Sequence, residues 1–83
     1  MLVLSLNPGN QVRIGPYLLT VISINRRCMY VGYRGKTFRV GPRRTRLDSE
    51  TEIVFKYKFG SQARFGLSSP SNVIKRVPCG KAP

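Results

Sequence analysis

The sequence predicts an all-β domain, a small barrel or sandwich of short antiparallel strands, and three observations carry this prediction. Short apolar runs recur along the chain, separated by clusters of Gly, Pro, Asn and Ser that favour turns. No segment shows the 3.6-residue apolar period of an amphipathic helix. The 83 residues suffice for one domain, 1–83, with a core so small that dimerisation is a natural way to complete it.

The first half of the chain is predicted to form five strands in quick succession. The segment 2–6 is a short apolar strand that ends at the turn-forming residues 7–10. The next predicted strands cover 11–15, 17–25, 28–33 and 37–40. Pro16, the pair Arg26-Arg27 and the basic residues 34–36 mark the turns between them.

In the second half, a charged stretch precedes three further strands. Residues 43–50 are poor in apolar side chains and are predicted to form an exposed linker. Phe55, Tyr57 and Phe59 then occupy alternate positions, so we expect them on one face of a half-buried strand, in the core. Strands over 62–67 and 72–77 complete the predicted fold.

A weak internal repeat links the two halves. Gly32 and Gly66 are 34 positions apart, and each lies in a short strand that follows a long apolar strand. This pattern suggests a duplicated unit of three strands joined by turns.

Charge is the strongest functional signal. The chain has 15 Lys and Arg against 3 Asp and Glu, a net charge of +12, and its three acids all lie within residues 48–52. Such a field attracts polyanions, and nucleic acid is the favoured partner over an anionic membrane or an acidic protein.

The basic residues suggest two candidate phosphate-binding groups. The main candidate group contains six cations within thirteen residues and no acid: Arg34, Lys36, Arg39, Arg43, Arg44 and Arg46. Lys75 and Arg76, with Lys81, form a second candidate group. Tyr33, next to the first group, is the favoured aromatic for stacking on an unpaired base.

Catalysis and cofactor binding find no support in the sequence. The chain has no His, and its acids share one predicted linker, so general acid–base and metal chemistry lack their usual groups. Cys28 and Cys79 are read as two reduced thiols of a cytoplasmic protein. No stretch is apolar for long enough to span a membrane as a helix. We therefore predict a non-enzymatic, cytoplasmic protein without a cofactor.

Two blocks of the chain resemble the CsrA/RsmA carbon storage regulators. Met1, Leu2, Leu4, Gly9, Ile14 and Gly15 match the family's opening pattern ML-x-L-T-R-R-x-G-E-x-x-x-I-G. Residues 60–73, GSQARFGLSSPSNV, follow the family's G-N-Q-V-R-I-G-V-x-A-P-x-x-V. The family blocks thus cover 1–15 and 51–77, and residues 16–50 are either an insertion or a duplicated strand unit.

The resemblance implies an intertwined β-barrel homodimer that binds GGA in RNA hairpin loops and represses translation by covering a ribosome-binding site. In the family, the first strand and the end of the fifth strand line the RNA surface. Leu4 matches a family leucine there, but the two arginines that follow it in the family are Leu6 and Asn7 here. The family's arginine at the end of the fifth strand falls near Arg43-Arg44 or at Arg76.

The predicted function is therefore that of an RNA-binding post-transcriptional regulator acting on mRNA leaders or small RNA hairpins. If about six phosphates are neutralised, the log–log slope of affinity against salt should be near −4, from ~0.7 per contact on single strands. Two alternatives remain open. Loss of the first-strand arginines suggests an antagonist that forms heterodimers with a CsrA-like protein, and the charge alone suggests a general basic nucleic-acid-binding module.

Overall fold

A computed structural model describes residues 1–77, which form nine strands and no helix. The strands are β1 (Leu2–Leu6), β2 (Gln11–Ile14), β3 (Tyr17–Ile24), β4 (Met29–Tyr33), β5 (Lys36–Val40), β6 (Thr45–Arg46), β7 (Glu52–Phe59), β8 (Gln62–Ser68) and β9 (Ile74–Arg76). The predicted all-β class is confirmed. The predicted linker 43–50 contains the two-residue strand β6, whose polar sequence carries no strand signal.

The nine strands form two antiparallel sheets that exchange strands between the two halves of the chain. One sheet has the order β1-β8-β7-β6 and the other has the order β5-β4-β3-β2-β9. The first strand of the chain therefore pairs with β8, far along the sequence, and the last strand returns to pair with β2.

Between the sheets lies one apolar core. The side chains that close it come from all the longer strands and include Leu6, Val12, Ile14, Leu19, Val21, Met29, Val31, Val40, Ile53, Phe55, Phe65 and Leu67. Because a single chain supplies both walls of this core, the homodimer is not needed to bury these side chains. It stays a prediction that rests on the family resemblance.

Strand pairing reveals two hairpins with the same register. In the β3–β4 hairpin Val21 pairs with Val31, and in the β7–β8 hairpin Phe55 pairs with Phe65, each 34 positions later. The register shift that follows Val21 recurs after Phe55. A 34-residue offset relates every β3–β4 pair to a β7–β8 pair.

On one side of each hairpin, the neighbouring strand follows the same offset. Leu4 of β1 pairs with Phe65, and Phe38 of β5 pairs with Val31. β1 therefore pairs with β8 in the register in which β5 pairs with β4. Residues 1–34 and 35–68 thus correspond, with their first strands exchanged. On the other side the offset fails by one position, because Gln11 of β2 pairs with Thr20 whereas Thr45 of β6 pairs with Ile53. The two readings of residues 16–50, an insertion or a duplicated strand unit, stay predictions.

The predicted core position of three aromatic residues is wrong for two of them. Phe55 is buried, but Tyr57 is 50% exposed and Phe59 is 74% exposed. A β-bulge at Lys56 adds one residue to β7 between the partners of Phe65 and Arg64. Since one extra residue reverses the alternation of side chains, Tyr57 and Phe59 lie on the outer face of the sheet.

Candidate nucleic-acid interface

The main predicted basic group is divided between different parts of the fold. Arg34 lies in the β4–β5 turn with a positive φ of 52°, followed by Gly35 with φ 79°. Its guanidinium carbon lies 4.2 Å from the centre of the Tyr17 ring, and its Nη1 lies 3.7 Å from a carboxylate oxygen of Asp48. Arg34 is therefore occupied by contacts within the protein.

Arg44 and Arg46 are also compensated, by an acid from the neighbouring strand. A terminal nitrogen of Arg44 lies 3.5 Å from Glu52, and one of Arg46 lies 3.2 Å from it. Arg46 also donates to the backbone oxygen of Ser49 at 3.2 Å. Two of the three acids, Asp48 and Glu52, thus pair with half of the six cations, which weakens the expectation of a single phosphate-binding patch there.

The other three members of this group are exposed but separated. Lys36 begins β5, and Arg43 lies in the loop that follows β5. Arg39 pairs directly with Tyr30 on the outer face of the five-stranded sheet. These residues are available to a ligand, although the fold does not gather them into one site.

Tyr33 is not available for base stacking, contrary to the prediction. Only 2% of the residue is exposed, and its ring packs edge-on against Tyr17 with centroids 6.0 Å apart. Its hydroxyl donates to Asp48 at 2.8 Å. Burial, followed by this hydrogen bond to a carboxylate, raises the pKa of Tyr33 above its ordinary value.

Asp48 ties the loop between β6 and β7 to the β4–β5 hairpin. One carboxylate oxygen accepts the backbone N–H groups of Glu50 and Thr51 at 2.9 and 2.8 Å, and the other accepts the Tyr33 hydroxyl. Burial alone would raise the pKa of Asp48, but the hydrogen bonds outweigh burial and lower it. The role of this carboxylate is to hold the structure together.

The second predicted basic group lies at a corner where the two sheets meet. Arg76 is on β9, the edge of the five-stranded sheet, and Ser5 is on β1, the edge of the four-stranded sheet. Nη2 of Arg76 donates to the backbone oxygen of Ser5 at 3.1 Å. Arg76 pairs with Val12, whose side chain is in the core, so the arginine extends from the inner face of its sheet across to β1.

The free edge of β1 presents backbone atoms rather than the side chain of Leu4. That side chain is buried, so it is not placed to contact RNA as the resemblance implied. The oxygen of Ser5 faces Arg76 and therefore away from β8. In an antiparallel pair, the N–H and C=O of one residue point to the same side of the strand. The N–H of Ser5 therefore also faces away from β8, and so do the N–H and C=O of Val3, two residues earlier.

Three more cations surround this corner. Arg13 on β2 pairs directly with Lys75 on β9, and both are exposed on the outer face of their sheet. Arg64 on β8 donates to the Ser5 hydroxyl at 3.0 Å. We call Ser5, Arg13, Arg64, Lys75 and Arg76 the β1–β9 corner. No ion pair of the described residues involves these cations.

Sequence reasoning missed Arg13 and Arg64, although a local signal for each was present. Each arginine stands between two apolar residues of a predicted strand, so alternation places it on the solvent face. Their proximity to Arg76 depends on pairing between distant strands, which no local pattern specifies.

The remaining candidate residues add no further site. Cys28 is buried, and Cys79 and Lys81 lie outside the described residues. Within residues 1–77, no group of three His, Cys, Asp or Glu side chains is placed to hold a metal ion. The same part of the chain contains no helix that is long and apolar enough to cross a membrane.

The chain matches no protein-family model, no curated protein and no solved structure. The geometry of the β1–β9 corner is therefore interpreted from its own residues, together with the resemblance of the two sequence blocks.

Proposed function

We propose that this chain is an RNA-binding post-transcriptional regulator of the CsrA/RsmA type. It binds hairpin-loop or single-stranded RNA containing GGA-type sites at the β1–β9 corner, and it represses translation by covering mRNA leaders. The proposal includes no catalytic step and no cofactor.

The observation that carries the proposal is the contact between Arg76 and the backbone oxygen of Ser5. In the family that the sequence blocks resemble, the first strand and the end of the fifth strand line the RNA surface. Here Arg76, on the last described strand, contacts the first strand. An alignment with one or two gaps matches Arg76 to the family's arginine, and a gapless alignment places Val77 there. The contact joins a charged donor to the exposed backbone edge of β1.

The chemistry of the corner suits an unpaired RNA segment. Arg13, Lys75 and Arg76 offer charge to phosphates, and arginine forks also match base edges. The outward N–H and C=O groups of Val3 and Ser5 can pair with the donors and acceptors of bases. A like-charged pair such as Arg13 and Lys75, directly opposite each other, destabilises a sheet. An anionic ligand between the two residues would remove that repulsion.

The proposal is tested by fluorescence anisotropy with two labelled RNA hairpins at physiological salt. One hairpin carries GGA in its loop, and the other is identical except for CCA. We expect the GGA hairpin to bind at least about tenfold more tightly, a difference of about 1.4 kcal/mol.

Either alternative result identifies a different function. Equal affinity for the two hairpins and for DNA of the same sequence would contradict GGA recognition and favour a general basic nucleic-acid-binding module. No binding to any of them would contradict the proposal altogether. Co-purification with a CsrA-like protein would then support the antagonist that forms heterodimers.

A further inference from the structure

The outer face of the four-stranded sheet carries two exposed aromatic side chains, Tyr57 and Phe59, next to the β1–β9 corner. Tyr57 on β7 pairs directly with Arg64 on β8, and Arg64 pairs directly with Ser5 on β1. Directly paired residues share a face, so these three side chains cross the sheet in one line. Phe59 lies on the same face as Tyr57, because it is two residues farther along β7 and pairs with Gln62, two residues before Arg64.

We propose that Tyr57 and Phe59 form a stacking platform for unpaired bases of the RNA whose phosphates are held by Arg64. This inference rests on the proposed RNA-binding function and adds a second element to it, a set of base contacts on the sheet face. Aromatic side chains beside a cationic groove are the usual arrangement for sequence-tolerant binding of single strands.

A matched comparison within the chain indicates that the fold does not require these aromatic residues. The 34-residue offset places Ser23 at the position of Tyr57 and Asn25 at the position of Phe59. Both polar residues are exposed, and the β3–β4 hairpin still has the same register and the same bulge. Exposing a tyrosine and a phenylalanine instead of a serine and an asparagine brings the fold no benefit, so a ligand is the better explanation.

Ser5 connects the outer face of the four-stranded sheet to Arg76. Ser5 accepts hydrogen bonds from Arg64 through its hydroxyl and from Arg76 through its backbone oxygen. An RNA strand held at the corner can therefore continue over Arg64 onto the face that carries Tyr57. The occupant we assign to this face is an unpaired RNA segment, and self-association of the protein is the rival that the experiment tests.

The first test replaces the platform by the residues of the other hairpin, in the double variant Tyr57→Ser, Phe59→Asn. The probe is a labelled, unstructured RNA of about eight nucleotides, within the usual site size for a strand-binding β-domain. We expect affinity to fall about tenfold or more while the log–log salt slope stays unchanged, because stacking releases no counterions. As a matched control, Ile22→Ser removes an exposed apolar side chain from the first hairpin and should change affinity less than about twofold.

A spectroscopic test uses the absence of tryptophan from the chain. Tyr57→Trp creates a single fluorophore on the platform, and RNA should quench it by direct stacking. Tyr17→Trp, on the other sheet beside Arg34, should respond weakly. A ribose-phosphate chain without bases should leave both fluorophores unquenched.

Several results would overturn the inference. Wild-type affinity in the double variant, with RNA binding intact, removes the platform and leaves the proposed function standing. No RNA binding by the wild-type protein removes both. A change in sedimentation behaviour on Tyr57→Ser, Phe59→Asn, without a change in affinity, would show that this face joins two copies of the chain.

Discussion

The β3–β4 and β7–β8 hairpins have the same pairing and differ in what they present to solvent. Their inner faces are both apolar, with Val21 beside Val31 in one and Phe55 beside Phe65 in the other. Their outer faces diverge, because Ser23 in the first hairpin corresponds to Tyr57 in the second. The comparison teaches that two hairpins with apolar inner faces share one register although their outer side chains differ in size and polarity.

The two halves also differ in what pairs with the outer edges of β2 and β6. β9 pairs with β2 in the first half, whereas β6, in the second half, is an edge. Among the described residues, Arg76 forms no ion pair and donates to β1, while Arg46 on β6 pairs with Glu52. The arginines at these two sheet edges therefore differ in charge compensation, and the predictions that follow test this difference, ordered by expected effect.

The largest effect is expected from truncating corresponding core residues. Phe65→Ala should lower the free energy of unfolding by about 3–5 kcal/mol, because it removes a fully buried ring from between β1 and β7. Val31→Ala removes only two carbons and should cost about 2 kcal/mol, at ~0.8 per carbon plus a small cavity. Urea unfolding followed by circular dichroism measures both. Equal costs would show that the two hairpins are packed more alike than their side chains indicate.

A smaller loss is expected at Asp48, in the loop between β6 and β7. Asp48→Ala removes the acceptor of the Tyr33 hydroxyl and of two backbone N–H groups. Hydrogen bonds to a charged group contribute about 1.5–3 kcal/mol, so we expect a destabilisation of about 2–3 kcal/mol. The control is Glu50→Ala, an exposed acid of the same loop, which should cost less than about 0.5 kcal/mol.

Acid should reproduce part of this loss. Because the folded pKa of Asp48 lies below its unfolded value of about 3.9, its stabilising contribution is fully present above that value and is lost as pH falls through the folded pKa. Stability measured from about pH 5 down to pH 2 should therefore decline, and Asp48→Asn should flatten the decline. An identical slope in the variant would mean that other carboxylates control acid unfolding.

The difference between the two sheet edges can be tested with two variants, each of which removes the charge of one arginine. Arg76→Gln should weaken binding to the GGA hairpin about tenfold, since it removes the donor that joins β9 to β1. Arg46→Gln removes an arginine that Glu52 already compensates, and it should weaken binding less than about threefold. Anisotropy titrations give both values. A larger effect at Arg46 would place the RNA on the opposite edge.

The smallest effect is expected at the like-charged pair on β2 and β9. Lys75→Gln relieves repulsion with Arg13 and should raise the free energy of unfolding by about 0.2–1 kcal/mol. The same change should weaken RNA binding and reduce the log–log salt slope by about 0.7. Lys36→Gln, at a position outside the corner, should leave both quantities nearly unchanged. Lower stability together with unchanged binding in Lys75→Gln would assign Lys75 a structural role instead.

Local sequence signals predicted most strand positions but not the contacts between strands. The strand Leu2–Leu6 begins and ends where the apolar run and the following turn predicted it. The strand β6 was missed because Thr45 and Arg46 are polar and the strand is only two residues long. The bulge at Lys56 was missed because its cause is the pairing with β8, and this bulge decides which way Tyr57 faces.

The candidate site could be predicted only in part, because its contacts also join strands that are distant in the sequence. Arg76 was identified as a candidate from charge and resemblance, whereas its contact with Ser5 depends on the exchange of strands. Tyr33 was misassigned because nothing near it in the sequence reveals the packing of Tyr17 or the hydrogen bond to Asp48. Composition identifies which side chains can bind RNA, and only tertiary structure decides which are available.

The pairing of β1 with β8 has a consequence for the order in which the chain folds. Residues 2–6 are synthesised well before their partners, 63–67. The β3–β4–β5 meander consists of neighbouring strands and can form early, while β1 must wait without a partner. Pairings so distant along the sequence slow folding toward the millisecond-to-second range of β-proteins. The β1–β9 corner is thus completed only after synthesis has passed β9, so a newly made chain lacks the proposed binding edge until then.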